Sequence, residues 1–381
     1  MAAIYSTLLF LLTLSESFVG IFSNGVGVNY GRNANNLPPP SQVPNLLKSL
    51  TINRVKVYDS NPEVLQAFAG TDIELIVGLG NEYLQTMSSD PQQAQTWIQQ
   101  NIQPYLPQTK ITCINVGNEV LKDDSKSALY EYLLPAMKTM HAGLVNLGLN
   151  KQVCVTTAHS LKILASSSPP SQGVFREDMV QYINPILEFH TQVHSPFFIN
   201  AYPYFAYESD PNNVRLEYAL FEPNEGVVDP NTKLKYDNML YAQIDAVYSA
   251  IKALGFTDIE VKISETGWPS TGDENETGAT VQNAGLYNRN LMQRMQHGQG
   301  TPTRPSQPID IYIFALFNED MKDGLTSERN FGLYYPNGTL VYNLGVQSYA
   351  PPRIEYSSSH KNVRTFFSFG FVDLTPCLRD E

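Results

Sequence analysis

The sequence predicts an α/β fold, a single (β/α)₈ TIM barrel with its groove at the C-terminal ends of the strands. Eight short runs are apolar almost throughout, which is typical of strands buried on both faces. Segments with the apolar spacing of amphipathic helices lie between them. Eight such alternations favour a closed barrel over an open doubly wound sheet. The predicted strands are residues 25–31, 54–59, 74–80, 111–119, 151–160, 197–205, 259–268 and 309–319.

Two segments between the predicted strands illustrate the helical pattern. In residues 236–255 apolar side chains recur at steps of three and four, which marks one buried helix face. Residues 125–147 repeat this spacing, and Gly148 after them predicts the end of the helix. The apolar positions are Leu240, Ile244, Val247, Ile251 and Leu254 in the first segment, and Leu129, Leu133, Met137, Met140, Leu144 and Leu147 in the second.

Composition and charge limit the kinds of partner. Of the 381 residues, 42% are hydrophobic and only 16% are charged, which is enough apolar material for a large core. The formal net charge is −12, whereas nucleic-acid binding requires a basic face. Lys and Arg, which bind phosphate groups, are scarce near the predicted strand ends. We therefore expect a neutral substrate and no nucleic-acid partner.

The two ends of the chain differ in character from the predicted barrel. Residues 4–14 are nearly all apolar and are followed by small residues, which predicts a secretory signal peptide over 1–23. A buried N-terminal helix is the alternative. The barrel domain is expected over 24–347, and the Pro- and Ser-containing segment 348–381 is expected to be a poorly ordered tail. No later segment has the length of a membrane span.

Two sequons and three cysteines bear on the cellular compartment. Asn275 and Asn337 each begin an Asn-x-Thr triplet and are predicted N-glycosylation sites. Three cysteines do not form the dense, even set of a disulfide scaffold. Cys113 and Cys154 lie in apolar strand runs and are predicted to be small core residues, and Cys377, in the tail, has no predicted role.

Three predicted strands end in glutamates. Glu119 closes the fourth strand, Glu265 lies near the end of the seventh, and Glu319 closes the eighth. Any one of them could be a surface residue or a member of an ion pair. In an α/β barrel, however, the C-terminal strand ends meet on one face and form the active site. Three glutamates at that face therefore predict a catalytic site.

Aromatic and amide side chains are predicted at the same face. Flat rings beside carboxylates suit a carbohydrate, because sugar C–H faces pack on aromatic planes and sugar hydroxyls bond to polar groups. Asn118 and Asn200 also end strands and are predicted to hold sugar hydroxyls. For any single tyrosine, ordinary half-buried packing is the alternative. The predicted rim aromatics are Tyr30, Tyr58, Tyr202, Tyr204, Phe205 and Trp268.

Other chemistries find less support in the sequence. The segment HTQVH at 190–194 places two imidazoles four residues apart, which one helix face could present to a metal. It lacks the glutamate of the metalloprotease motif and a third ligand, so we predict surface histidines and no metal. The Gly-x-Ser-x-Gly turn of serine hydrolases is not present. No cofactor is predicted.

Two motifs carry a resemblance to a known family. The segments VGNE (116–119) and ISETGWPS (263–270) resemble the two signatures of glycoside hydrolase family 17, the plant endo-1,3-β-glucanases. The resemblance extends over about 25–346. Supporting matches are GVNYG (27–31), RVKVYD (54–59), INAYPYF (199–205), FALFNEDMK (314–322) and ERNFGLYYPNGT (328–339).

The resemblance implies a reaction and a role for each glutamate. It implies an enzyme that cuts internal bonds of 1,3-β-glucan with retention of anomeric configuration. Glu119 matches the general acid/base of the family and Glu265 its nucleophile. Glu319 and Lys322 match an accessory pair near the site, which we predict to contact substrate together with Tyr58, Asn118, Asn200, Tyr202 and Trp268.

The resemblance also has implications for where the protein is located and for which other functions are possible. It implies a monomer in the secretory pathway, destined for the cell wall, with the vacuole left open. The cysteine-rich binding module and the lipid-anchor signal of longer family members are not recognisable in the tail. Two alternatives remain on the same fold: a 1,3-β-glucan transglucosylase and a non-catalytic glucan-binding barrel.

Overall fold

Eight parallel strands close into a barrel in the computed structural model, which describes residues 26–122 and 128–345. Each strand pairs with its neighbours in chain order, and β1 pairs with both β2 and β8, which closes the sheet. The strands are β1 Val26–Tyr30, β2 Arg54–Val57, β3 Glu74–Leu79, β4 Lys110–Asn118, β5 Cys154–Ser160, β6 Phe197–Asn200, β7 Val261–Thr266 and β8 Ile311–Ile313.

The predicted (β/α)₈ barrel is confirmed, and each predicted strand run overlaps one barrel strand. The predicted run 197–205 is longer than the observed strand Phe197–Asn200. It leaves the sheet after Asn200, because Pro203 starts a helix as its first residue. The run 309–319 likewise leaves the strand after Ile313. Both departures occur at the C-terminal face, where the chain forms loops around the groove.

Helices lie between the strands, and two of them match the predicted segments. Their apolar faces are buried, and Asn238 caps the helix within 236–255 by accepting from the Tyr241 amide at 2.9 Å. The helices are α1 Val43–Ser49, α2 Pro62–Ala67, α3 Leu84–Ser89, α4 Pro91–Asn101, α5 Leu129–Asn146, α6 Glu177–Val193, α7 Pro203–Ser209, α8 Leu216–Ala219, α9 Met239–Ala253 and α10 Val281–Gln296.

Short elements complete the fold. Two antiparallel strand pairs lie outside the barrel, Leu164–Ser166 with Val174–Phe175 and Val227–Val228 with Lys235–Tyr236. The 3₁₀ helices are Pro40–Gln42, Asn81–Tyr83, Gln103–Tyr105, Leu161–Ile163, Pro170–Gln172 and Thr326–Arg329.

Cys113 and Cys154 form a disulfide between β4 and β5. Cys113 is a buried core residue, as predicted, and Cys154 packs partly buried against that core, but the sequence analysis does not predict the bond between them. They are 41 residues apart in sequence, but the parallel register places them opposite each other with a Cα–Cα distance of 4.4 Å. That register depends on the closed sheet and is not visible in the local sequence.

The histidines of the HTQVH segment lie in different environments at the end of α6. His194 is exposed, as predicted, whereas the prediction of a surface position is wrong for His190. His190 lies on the apolar face of the helix, its Nδ1 is 2.8 Å from Ser195 Oγ, and burial lowers its pKa to about 3. Among residues 26–122 and 128–345, no three His, Cys, Asp or Glu side chains are grouped as a metal site.

The predictions for the two ends of the chain concern residues that the structure does not describe. The predicted signal peptide over 1–23 and the predicted tail over 348–381 lie outside the described residues, so the domain boundaries stay predictions. In the described part of the chain, the search for an apolar helix long enough to cross a membrane finds none.

Candidate active site

The turn after β4 carries Glu119 into the groove. Glu119 has a φ of +49°, in the left-handed region that residues other than glycine rarely adopt. Its amide donates to the Ala158 carbonyl on β5 at 2.8 Å. The side chain of Asn81 fixes the preceding residue, since it accepts from the Asn118 amide at 2.8 Å and donates to the Asn118 carbonyl at 3.0 Å. Backbone strain that is held by such contacts is frequent at functional sites.

The end of β7 carries Glu265, in register with Asn200 on β6. Gly267 follows two residues later, and a Cβ there would lie 2.1 Å from the Phe314 carbonyl oxygen. Only glycine therefore allows the chain after β7 to approach the end of β8 so closely. The close approach places Glu265 beside the residues that follow β8.

Three donors surround the Glu265 carboxylate, which is only 6% exposed. Oε1 accepts from Lys56 Nζ at 2.9 Å and from the Tyr58 hydroxyl at 2.7 Å. Oε2 accepts from the Tyr202 hydroxyl at 3.0 Å. Lys56 is fully buried and also donates to Ser264 Oγ at 2.6 Å. These contacts fix the carboxylate in a single orientation.

The two glutamates have pKa values shifted in opposite directions. Burial alone would raise the pKa of Glu265, but the charge of Lys56 and the three hydrogen bonds outweigh burial and lower it. Burial raises the pKa of Glu119, and the negative charge of Glu265 raises it further. The amide of Asn200, which donates to Glu119 Oε1 at 2.9 Å, opposes this rise only in part. Compared with a free glutamate, the site therefore favours the ionised form of Glu265 and the protonated form of Glu119.

Both glutamates line one groove of about 470 Å³. One side is aromatic, and Phe205, 42% exposed, presents its ring at the rim. Aromatic rings and polar groups both line the groove around the two carboxyl groups, which suits a carbohydrate. The lining comprises Gly31, Arg32, Asn33, Tyr58, Asp59, Asn118, Glu119, Tyr202, Phe205, Glu265, Phe314, Glu319, Lys322, Glu328 and Phe331.

Glu319 and Lys322 form a second charged pair in this groove. Lys322 Nζ lies 3.7 Å from Glu319 Oε2 and 4.0 Å from the centroid of the Phe314 ring. The nearly buried Glu319 also accepts from the Asn33 amide at 2.8 Å. A Cβ on Gly31 would lie 2.4 Å from Glu319 Oε1, so this glycine makes room for the carboxylate. The pair thereby links the loop after β8 to the loop after β1.

The structure brings most of the predicted site residues together. Tyr58, Asn118, Tyr202, Glu319 and Lys322 line the groove with the two glutamates. Asn200 is placed differently, since it is buried behind the groove and its amide contacts Glu119.

The prediction that the Trp268 ring lies beside the groove is wrong. Trp268 is 0% exposed and packs against Tyr204, Tyr207 and Tyr287. Its Nε1 donates to the Gly278 carbonyl at 2.8 Å, which fixes the loop after β7. An indole is most stable where its apolar ring is buried and its N–H has an acceptor. For Trp268 the core provides both. Tyr204, also predicted at the rim, is fully buried beside it.

Sequence reasoning missed Lys56, Phe314 and Phe331. Lys56 stands between Val55 and Val57 in a strand whose other residues are apolar or partly buried. A lone lysine in a buried strand is a signal, because buried lysines are almost always paired. Phe314 gave no comparable signal because residues 311–317 are apolar throughout, and Phe331 gave none because it stands alone between Asn330 and Gly332.

A second cleft, of about 630 Å³, lies beside α9. One carboxylate, Asp245, lines it. That group is already used internally, since it accepts from the Tyr236 hydroxyl at 2.9 Å and from Thr303 Oγ1 at 2.6 Å. The groove with Glu119 and Glu265 is thus the better candidate for acid–base chemistry.

Two glutamates with pKa values shifted in opposite directions, at the C-terminal face of an α/β barrel, are the arrangement expected of one class of protein, the glycoside hydrolases. A family model described as Glycosyl hydrolases family 17 matches residues 26–346. The chain belongs to glycosyl hydrolase family 17.

Individual relatives agree with this assignment. The chain is 58% identical to glucan endo-1,3-β-glucosidase 14 of Arabidopsis thaliana, over 94% of this chain and 90% of the relative. It is 54% identical to glucan endo-1,3-β-glucosidase 11 of the same plant, over 89% and 80%. Among solved structures, CJP38, a β-1,3-glucanase and pollen allergen of Cryptomeria japonica, is 41% identical with a TM-score of 0.81, covering 84% of this chain and 98% of that one.

Proposed function

We propose that this chain is a retaining endo-hydrolase of internal 1,3-β-D-glucosidic bonds in 1,3-β-glucans such as callose-like polysaccharides. The names of relatives that are 58% and 54% identical to it over the aligned residues support the substrate class. The observation that carries the proposal is the opposite shift of the pKa values of Glu119 and Glu265 within one groove. One group is thereby prepared to donate a proton and the other to attack.

In the first step, Glu265 attacks the anomeric carbon of the glucosyl unit. The bond from that carbon to the leaving oxygen breaks as the bond to the carboxylate oxygen forms. Glu119 donates its proton to the leaving oxygen and becomes a carboxylate. In retaining glycosidases the two carboxyl groups are about 5–5.5 Å apart, close enough for this direct attack.

In the second step, Glu119 takes a proton from water while the water oxygen attacks the anomeric carbon. The bond to Glu265 breaks, and two inversions give net retention of the β configuration. Lys56, Tyr58 and Tyr202 donate to the Glu265 carboxylate, and so stabilise it as the leaving group. Glu319 and Lys322 fix the groove wall beside this reaction.

Hydrolysis of a linear 1,3-β-glucan tests the proposal. We expect reducing ends to appear together with a rapid fall in average chain length, and proton NMR to detect the β-anomer first. Detection of the α-anomer first would contradict retention and the role of Glu265. Products longer than the substrate would identify a transglucosylase. Binding of the glucan without new reducing ends would identify a non-catalytic barrel.

We also propose a secretory location, cell wall or vacuole, for a monomeric, N-glycosylated protein. The Cys113–Cys154 disulfide supports an oxidising compartment. Asn275 and Asn337 are both exposed, and Asn337 Oδ1 accepts from Thr339 Oγ1 at 2.7 Å. Expression through a eukaryotic secretory pathway, followed by enzymatic deglycosylation and mass spectrometry, tests both sites. An unchanged mass would contradict glycosylation.

A further inference from the structure

The loop after β7 and the loop after β8 are joined by hydrogen bonds through two carboxylates. We call residues 267–280 the β7 loop and residues 314–331 the β8 loop. Asp273 of the β7 loop accepts from Thr326 Oγ1 at 2.5 Å and from the Thr326 amide at 3.1 Å. Ser270 donates from its amide and its hydroxyl to the Asn330 carbonyl, at 2.8 and 3.0 Å. The two loops are thus bonded along several residues.

Glu276 is the buried member of this contact. Its side chain is in the interior, with the residue 5% exposed, although carboxylates are seldom buried without strong partners. Oε2 accepts from the Ser327 amide at 3.1 Å and from the Asp273 amide at 2.8 Å, and Oε1 accepts from the Ser327 hydroxyl. One carboxylate therefore shapes the β7 loop and bonds it to the β8 loop.

The β7 loop is itself fixed at both sides of Glu276. Trp268, buried in the core, donates to the Gly278 carbonyl at 2.8 Å, and Asn283 of α10 donates to the same carbonyl at 2.9 Å. Thr280 then begins α10 as its N-cap residue. The β7 loop is therefore fixed to the core and to α10, and the β8 loop is hydrogen-bonded to it.

The β8 loop in turn forms one wall of the groove. Glu328 follows Ser327 directly and lines the groove, as does Phe331. The Phe331 ring packs against the Tyr202 and Phe314 rings, with centroids 5.8 and 5.5 Å apart. The bond to Ser327 thus holds the backbone from which these two side chains extend. Glu119 follows β4 and Glu265 lies on β7, and neither carboxyl group takes part in the bonds between Glu276 and Ser327.

We infer that Glu276 is a positioning residue that sets the width of the glucan-binding groove by holding the β8 loop. This inference rests on the proposed function, because it assigns the groove to a glucan. Removing the carboxylate breaks both bonds to Ser327 and leaves the β8 loop held to the β7 loop through Thr326 and Asn330, so that the wall closes less firmly on the substrate. Binding of the glucan should suffer, whereas the chemical step at the two catalytic glutamates should not.

Steady-state kinetics on a linear 1,3-β-glucan tests the inference in Glu276→Ala and in the nearly isosteric Glu276→Gln. For Glu276→Ala we expect KM to rise by about 10-fold with kcat within about twofold, since binding shared by ground and transition states is lost. Glu276→Gln keeps one acceptor oxygen, so its KM should lie between that of Glu276→Ala and that of the wild type. Glu274→Ala, at an exposed position two residues away, is the matched control and should leave both constants unchanged.

Hydrogen exchange gives a second readout that does not need activity. In Glu276→Ala, a peptide containing the Thr326 and Ser327 amides should exchange faster than in Glu274→Ala, while β4 peptides stay protected. If wild type fails to cleave glucan, the proposed function fails, and exchange still decides whether Glu276 holds the β8 loop. Unchanged exchange and unchanged KM in Glu276→Ala would overturn the inference. An equal fall of kcat in both Glu276 variants would also overturn it.

Discussion

Lys56 and Glu265 form an ion pair inside the groove, with 2.9 Å between Nζ and Oε1. Lys56 is fully buried and Glu265 nearly so, so neither charge is stabilised by bulk water. Removing one partner of a buried pair leaves an uncompensated charge and typically costs about 3–5 kcal/mol. The ionisation of Glu265, on β7, is therefore controlled by a residue on β2.

Replacement of Lys56 by Met should shift the acidic limb of the activity profile. Without the cation, burial raises the pKa of Glu265, so that less of the nucleophile is ionised at acidic pH. We expect the acidic limb of kcat/KM to move to higher pH, and kcat/KM near pH 5 to fall by about 100-fold, or about 2.7 kcal/mol. A pH series of glucan hydrolysis measures this. Lys48→Met, exposed on α1, should keep the wild-type profile, and an unmoved limb in Lys56→Met would refute the coupling.

Replacement of Glu265 by Ala should abolish hydrolysis, with kcat reduced by about 10⁴-fold or more because the nucleophile is gone. Added azide should then restore turnover and give the inverted α-glucosyl azide, which NMR identifies. The matched variant Glu319→Gln keeps its place in the groove wall and should lose much less activity. Equal losses in the two variants would give Glu319 a direct part in the chemistry.

Replacement of Asn200 by Leu should move the alkaline limb of the pH profile of kcat/KM to higher pH. The Asn200 amide stabilises the ionised form of Glu119, so its removal raises the pKa of Glu119 further. The general acid then stays protonated to higher pH, and we expect the alkaline limb of kcat/KM to move up by about one pH unit. The test is the pH profile with a natural glucan, whose leaving group needs the proton. A limb that moves downward, or not at all, would show that Asn200 does not set this pKa.

Loss of the Cys113–Cys154 disulfide should lower stability without removing the active site. The bond closes a loop over a sequence separation of 41 residues, and the chain-entropy model gives about 4 kcal/mol for such a loop. We expect the Cys113→Ser/Cys154→Ser variant to unfold at lower denaturant concentration than the wild-type protein. Reductant should lower the midpoint of the wild type only. If reductant left the denaturant midpoint of the wild-type protein unchanged, the bond would not form in this protein.

The sequence was sufficient for the strands, the long helices and the two catalytic glutamates proposed above, because each depends on a local pattern. The apolar periodicity around Leu240 and Ile244 describes one helix face without reference to any other element. In contrast, the pairing of Cys113 with Cys154 depends on the register between β4 and β5. Local patterns do not specify that register.

The positions of Trp268 and Lys56 also depend on contacts between distant parts of the chain, which local sequence patterns do not specify. Trp268 follows Glu265 by three residues, yet the side chains that surround its ring come from α7 and α10. Lys56 is 209 positions from Glu265, so its contact appears only when β2 and β7 face each other across the closed barrel. Side-chain orientation in the barrel, rather than strand location, is what the sequence left open.

Closure of the sheet between β1 and β8 has a consequence for biosynthesis. The first strand finds its partner Ile311 only after nearly the whole barrel has been synthesised, so the seam closes last as the chain leaves the ribosome. Glu319, Glu328 and Phe331 follow that final strand. A nascent or C-terminally truncated chain therefore carries the motif glutamates without a complete groove. We expect chains that stop before these residues to lack one wall of the groove and to cleave glucan poorly.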